Sequence, residues 1–253
     1  MTGLNRKKVL FSAVYLCLLI AIFFLLITRM DFWETFLSLI FPGESEVIYP
    51  RANLLELLKE HILLVISSSG AAVTIGVLFG TFVTRPAGRD FLNIVNDISS
   101  LAQTIPPVAV LALAIPFIGF GFKPTVLALF LYSILPVIRN TISGLESVPR
   151  ELIGAAYGMG MTRFQILLRI ELPLSLKVIM AGIRTSVVIN VGTATVGAVA
   201  GAGGLGTPII SGLVRENPAF VLEGAISAAL LAFILDQILG KTEQSLFSFY
   251  GLE

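Results

Sequence analysis

The chain has 253 residues, 56% of them hydrophobic and only 13% charged, with a mean hydropathy of +0.93 and a formal net charge of +1. Soluble domains carry about a quarter of their residues as Asp, Glu, Lys or Arg, and a chain with half that content cannot cover a globular surface. These values exclude a soluble enzyme, a disordered protein and a nucleic-acid binder, and they predict an all-α, polytopic membrane protein.

The first apolar run, Val9 to Thr28, follows Arg6-Lys7-Lys8 and exits into Arg29-Met30-Asp31. A signal peptide has a shorter apolar region of roughly 7–15 residues followed by a cleavage site, so a retained anchor is expected. Residues 1–60 then form an anchor helix with an external segment, in which Trp33, Phe36 and Tyr49 are candidate interfacial aromatics. The single cysteine, Cys17, allows no intrachain disulfide. The single histidine, His61, beside Glu60, is read as an interfacial anchor and leaves no His-based zinc site or Ser-His-Asp triad.

A core over 61–240 is expected to hold five more spans: Ile62–Thr84, Ile94–Ile118, Pro124–Ile142, Lys177–Ala200 and Ala219–Gly240. A Gly-rich connection, Gly201–Pro218, precedes the last of them, and a tail over 241–253 follows. Cytoplasmic loops are enriched in Lys and Arg. With the N-terminus inside, that side receives Arg6, Lys7, Lys8, Arg85, Arg89, Arg139, Arg150, Arg163, Arg169, Lys177 and Lys241. The outside keeps Arg29, Arg51, Lys59, Lys123 and Arg215. Both termini then lie in the cytoplasm, and about six transmembrane helices fit.

The connection Ser143–Leu176 is long and internally ordered. Pro149 suits a first helical turn, and Leu152, Ala155, Ala156 and Met159 recur at helical spacing. Gly158-Met159-Gly160 permits a tight turn, and Thr162 with Gln165 reads as a capping box opening a second helix. Leu172-Pro173 reads as its end. A cytoplasmic helix-turn-helix results, shaped for a partner's groove.

Gly154-Ala155-Ala156-Tyr157-Gly158-Met159-Gly160, with Ile170-Glu171-Leu172-Pro173 nine residues on, resembles the EAA loop of ATP-binding-cassette importer permeases. The spacing fits at every position; Gly154 stands where that signature has Glu, and Glu151 lies one turn earlier. Leu101-Ala102-Gln103-Thr104-Ile105-Pro106-Pro107, Leu135-Pro136-Val137-Ile138-Arg139-Asn140-Thr141 and Gly201-Ala202-Gly203-Gly204-Leu205-Gly206 resemble the osmoprotectant (glycine betaine, choline, carnitine) branch. Methionine-importer permeases share a similar Gly-rich run and loop. The resemblance implies ATPase coupling through Glu151, Gly154, Ala155, Ala156, Gly158, Gly160, Thr162, Ile170, Leu172 and Pro173. It also implies two ATPase subunits carrying ATP and magnesium, a second permease subunit in the cytoplasmic (inner) membrane, and an external substrate-binding protein. This chain itself is expected to hold no cofactor and no metal and to catalyse nothing. Gly240-Lys241-Thr242 imitates the end of a P-loop, but Leu235 stands where its first Gly belongs.

Candidate path residues fall in two spans. Gln103, Thr104, Pro106 and Pro107 interrupt the third span, because each proline removes a donor and clashes with the preceding turn. The carbonyls so freed must find partners or face a water-filled cavity. In the fifth span Gly182, Ser186, Asn190, Thr193, Gly197 and Gly201 form one stripe of small or polar residues. It is read either as helix packing or, at Asn190, Thr193 and Thr195, as path lining. Asp97 and Asp236 read as solvated or Arg-paired carboxylates, and Phe117, Phe120, Phe122 and Tyr132 as lipid anchors. A secondary transporter is the competing reading, with paired intramembrane carboxylates as its mark.

Overall fold

The computed structural model describes residues 3–102 and 104–250, and every described element is helical. Gln103, among the expected path residues, lies outside the described residues.

Helix α1 (Gly3–Thr28) meets α2 (Met30–Ile40) at a bend of 80°. Arg29 leaves the helical region there (φ −100, ψ 83), and the Trp33 indole Nε1 donates to the Leu26 carbonyl at 2.9 Å across the corner. The bend turns Trp33 and Leu37 into the core, where Tyr49, Leu54 and Phe220 also lie. Trp33 and Tyr49 are therefore buried, not interfacial as expected; only Phe36 of the three is exposed.

The long helix α3 (Leu54–Val83) starts at an Asn53 cap, whose Oδ1 accepts from the Glu56 amide at 2.8 Å. Two short helices follow, α4 (Leu92–Ala102) and α5 (Pro107–Ile118). The expected third span is thus two pieces of 11 and 12 residues, each too short to cross about 30 Å of hydrocarbon at about 1.5 Å per residue. Pro106 sits extended (φ −62, ψ 139) as the cap of α5, so the prolines break the helix instead of kinking it. Gly119 and Gly121, both at positive φ, lead into α6 (Phe122–Glu146).

Helix α7 (Arg150–Gly158) and the single turn α8 (Arg163–Ile166) form the expected hairpin. Leu172-Pro173 does not close it. A π-helical segment, Leu167–Glu171, runs straight into α9 (Leu172–Ala194). A π-bulge shifts the hydrogen-bond register, and Pro173 falls in the first turn of α9, where a missing N–H is tolerated. After a 3₁₀ segment, Thr195–Ala200, the Gly-rich stretch contains a ten-residue helix, α10 (Gly206–Arg215), where a plain connection was expected. Helix α11 (Pro218–Tyr250) continues past Lys241, so residues 241–250 of the expected tail are helical.

Among the described residues three helices are long and apolar enough to cross a membrane, or four if the bent α1–α2 pair is one span. The expected count of about six is not reached by length and composition, because the third span is split and the fifth, α9, though 23 residues long, carries Lys177, Arg184, Thr185, Ser186, Asn190 and Thr193. Small residues let the long helices touch. A Cβ on Gly76 or Gly80 of α3 would lie 2.9 or 2.8 Å from Val137 or Thr141 of α6, and one on Gly144 of α6 would lie 3.1 Å from Ser175 of α9. Packing at such closeness drives helix association where lipid removes the hydrophobic force.

Candidate functional site

The α7–α8 hairpin is built by local chemistry. Helix α7 ends in a Schellman closure: the Met161 amide donates to the Ala156 carbonyl at 3.1 Å, and the Gly160 amide to the Tyr157 carbonyl at 2.9 Å. Gly160 adopts φ +80 to allow it. The capping box then restarts the chain. The Thr162 amide donates to Gln165 Oε1 at 2.8 Å, and the Gln165 amide to Thr162 Oγ1 at 3.3 Å. Two tethers hold the hairpin to the helices. Ala156 and Ile166 are buried beneath it, and Glu171 is bound by the Arg85 guanidinium at 2.6 Å. Arg85 is itself positioned by donating from Nε to the Thr81 carbonyl and Thr84 Oγ1.

Of the residues expected to couple, Glu151, Gly154, Ala155, Gly158, Gly160 and Thr162 are exposed on this hairpin. Ala156 is buried, and Ile170, Leu172 and Pro173 are half-buried along its exit into α9. The expected apolar stripe is therefore divided: Ala156 turns inward, while Leu152, Ala155 and Met159 point out. Met159 is 74% and Phe164 67% exposed, with Leu152, Tyr157 and Leu168 beside them in the same class. The outward role of Tyr157, Phe164 and Leu168 was missed in the sequence. Its signal is three large apolar residues in a stretch that also carries Arg150, Glu151, Arg163 and Arg169.

The expected path residues are not gathered in one place. Asn190 is fully buried, its Nδ2 donating to Ser68 Oγ at 2.7 Å and Ser69 Oγ at 2.8 Å on α3. Ser186 Oγ donates to the Ser133 carbonyl at 2.6 Å, and Gly182 abuts Asn140 and the Pro136 carbonyl. For these positions the stripe is packing. Thr193 and Thr195 bond their own helix, to the Ile189 and Gly192 carbonyls. Thr193 also meets Pro107 and Thr125 in a crevice of about 10 Å³, room for about one water. Thr104 and Pro106 are exposed at the break before α5.

A larger cleft, about 520 Å³, opens between α6 and α9 and is lined by Tyr132, Pro136, Arg139, Asn140, Thr185 and Ile189. Tyr132, expected as a lipid anchor, is half-buried and lines this cleft. Asp236 pairs with Arg184 through bonds of 2.5 and 2.6 Å between α11 and α9. His61 is buried, not interfacial. Its Nε2 donates to the Val191 carbonyl at 3.0 Å, while the Gly204 amide donates to Glu60 Oε2 at 2.8 Å. These two neighbours hold the Gly-rich loop against the end of α9. Among the described residues no group of three or more His, Cys, Asp or Glu is arranged to hold a metal ion.

The sequence of this all-helical chain matches the family described as binding-protein-dependent transport system inner membrane component over residues 72–247. The chain belongs to that permease family. Full-length similarity agrees. The chain is 38% identical over 239 residues, 94% of its length and 95% of the relative's, to an osmoprotectant import permease protein of Salmonella typhimurium. It is 43% identical over 178 residues, 68% of its length and 78% of the relative's, to a glycine betaine/carnitine/choline transport system permease protein of Bacillus subtilis. In fold it is similar to the inward-facing MetNI methionine ABC transporter, with a TM-score of 0.68 and 23% identity over 76% of this chain and 95% of that one. A permease of this family is a transport component, not a catalyst, and belongs to the inner membrane.

Proposed function

We propose that the chain is one permease subunit of an ATP-driven importer of osmoprotectants: small quaternary amines such as glycine betaine, carnitine or choline. The near end-to-end similarity to an osmoprotectant import permease carries this reading; the methionine transporter shares the fold at lower identity. ATP and magnesium are bound by partner ATPase subunits, a second permease copy or paralogue completes the path, and an external binding protein delivers the substrate. The termini lie in the cytoplasm, with residues 1–60 as the anchor region and 61–240 as the permease core.

The α7–α8 hairpin supplies the mechanical link. Its outward apolar face, led by Met159 and Phe164, enters a groove on the ATPase. The Arg85–Glu171 pair and the unbroken run from α8 into α9 pass a shift of the hairpin to a helix lining the α6–α9 cleft. Movement of the ATPases thereby becomes a tilt of α9. To test the reading, the chain is purified with its native partners and ATP hydrolysis is measured with glycine betaine, carnitine, choline and methionine presented on the binding protein. Stimulation by quaternary amines is expected. Stimulation by methionine alone overturns the substrate class.

A further inference from the structure

Helix α2 presents an apolar face that the bundle does not cover. Wound at about 3.6 residues per turn, its residues sort into three sectors. Trp33 and Leu37 face the core. Phe32, Phe36, Leu39 and Ile40 form a second apolar sector beside them and are exposed, Leu39 to 83%. The Phe32 and Phe36 rings stack there, with centroids 6.3 Å apart and planes 6° from parallel. Asp31, Glu34, Thr35 and Ser38 occupy the opposite side and are exposed. The geometry around the helix shows what covers the apolar sector. Helix α1 has 26 residues, about 39 Å at about 1.5 Å per residue, enough by itself for a hydrocarbon core of about 30 Å. After the bend of 80°, α2, about 16 Å long, climbs only about 3 Å along the direction of α1. It therefore adds nothing to the crossing and runs along the bilayer surface at the end of the span. The Trp33 indole folds back to donate to the Leu26 carbonyl, which marks the side of α2 that faces the span and hence the bilayer. The exposed apolar sector adjoins that side, and the polar sector lies away from it. As a protein contact, four side chains fall well short of the roughly 20–30 residues a side that a stable interface uses.

We infer that α2 is a membrane-surface helix, seated in the external leaflet with Phe32, Phe36, Leu39 and Ile40 among the acyl chains and Asp31, Thr35 and Ser38 toward water. A short amphipathic helix with aromatic rings on its apolar face suits the headgroup boundary. The external side rests on the orientation above, and α2 itself contains no Lys or Arg, the residues retained on the cytoplasmic side. The seat is tied to the rest of the bundle. The chain that leaves α2 is strapped to the turn between α10 and α11: the Asn217 amide Nδ2 donates to the Glu46 carbonyl at 2.8 Å, the Tyr49 amide donates to Glu223 Oε2 at 2.9 Å, and the Arg215 guanidinium lies 3.8 Å from the Glu46 carboxylate. Lipid that holds α2 thereby fixes the level of the α10–α11 turn against the bilayer.

The test uses the complete transporter in liposomes of phosphatidylethanolamine and phosphatidylglycerol. A nitroxide is attached at Phe36→Cys, Ile40→Cys or Ser38→Cys in a Cys17→Ser chain, and the signal of the same complex without an introduced cysteine is subtracted. Collisions with oxygen, which concentrates in lipid, should exceed those with a water-soluble nickel chelate several-fold at 36 and 40, and the order should reverse at 38. Shielding of 36 and 40 from both reagents would make the face a contact with another subunit, and lipid exposure at 38 as well would make α2 part of a broken span. Either result overturns the inference, as does free access of the nickel chelate to 36 and 40. The link to the α10–α11 turn has its own readout. Leu39→Asp should speed hydrogen exchange of residues 44–49 several-fold in the bilayer, and Ser38→Asp, on the polar face, should not. Equal exchange in the two variants overturns the link.

Discussion

Gly160 offers a clean separation of backbone geometry from side-chain bulk. It closes α7 at φ +80, and an added Cβ meets nothing within 4 Å. Substitution therefore causes no clash inside the chain, and its whole cost is that of a left-handed L-residue, about 1–2 kcal/mol. That reduces the population of the closed hairpin about 5–30-fold relative to an opened one. Asn tolerates the left-handed region through local hydrogen bonding, whereas a β-branched residue does not. In proteoliposomes holding the full transporter, Gly160→Val should raise the ATP hydrolysed per substrate imported several-fold, Gly160→Ala by less, and Gly160→Asn least. If Gly160→Val transports with wild-type coupling, the closed turn is not required. If Asn harms coupling as much as Val, bulk at the docking surface is responsible and the conformational argument is wrong.

Other predictions address the bundle. Gly182→Leu places a side chain where Asn140 and the Pro136 carbonyl already sit; overpacking costs about 1–3 kcal/mol, and thermal denaturation in detergent should show a lowered Tm. Gly154→Leu, at an open position, should leave that Tm unchanged. Asp236→Asn weakens the bidentate grip on Arg184. It should cost about 1 kcal/mol, since both groups keep some solvent contact, and Arg184→Gln combined with it should cost less than the sum. Trp33→Phe removes the bond to Leu26 across the α1–α2 corner, and a loss of about 1 kcal/mol should appear as faster hydrogen exchange of residues 26–33. Glu171→Gln loosens the hairpin from Arg85, and limited proteolysis should cut more readily between 158 and 163.

What could be read from sequence was what is decided locally. The Thr162–Gln165 box and the turn at Gly160 depend on residues within a few positions and form as their spacing implies, while Pro149, read as part of a first helical turn, sits one residue earlier as the N-cap of α7. Leu172-Pro173 was misread because proline looks the same one residue inside a helix start as it does beyond a helix end; the π-bulge before it decides which. Trp33 and Tyr49 carry no local sign of burial, since their environment is created by the bend at Arg29 and by Phe220 far along the chain. Gly206-Thr207-Pro208 resembles a turn, yet Pro208 sits in the first turn of α10, where its missing N–H is tolerated. The α6–α9 cleft was the least legible. Tyr132 was read as a lipid anchor and Arg139 by the Lys/Arg bias, and only the pairing of α6 with α9, far apart in sequence, brings Thr185 and Ile189 opposite them.

The central claim is that this chain conducts osmoprotectants under the power of a separate ATPase. Uptake of labelled glycine betaine into proteoliposomes, with ATP enclosed and each partner omitted in turn, tests it most directly. Accumulation should require ATP, the ATPase subunits and the binding protein together, and should stop with a hydrolysis-deficient ATPase. Accumulation driven by an ion gradient through the permease without any ATPase would contradict the account and support a secondary transporter.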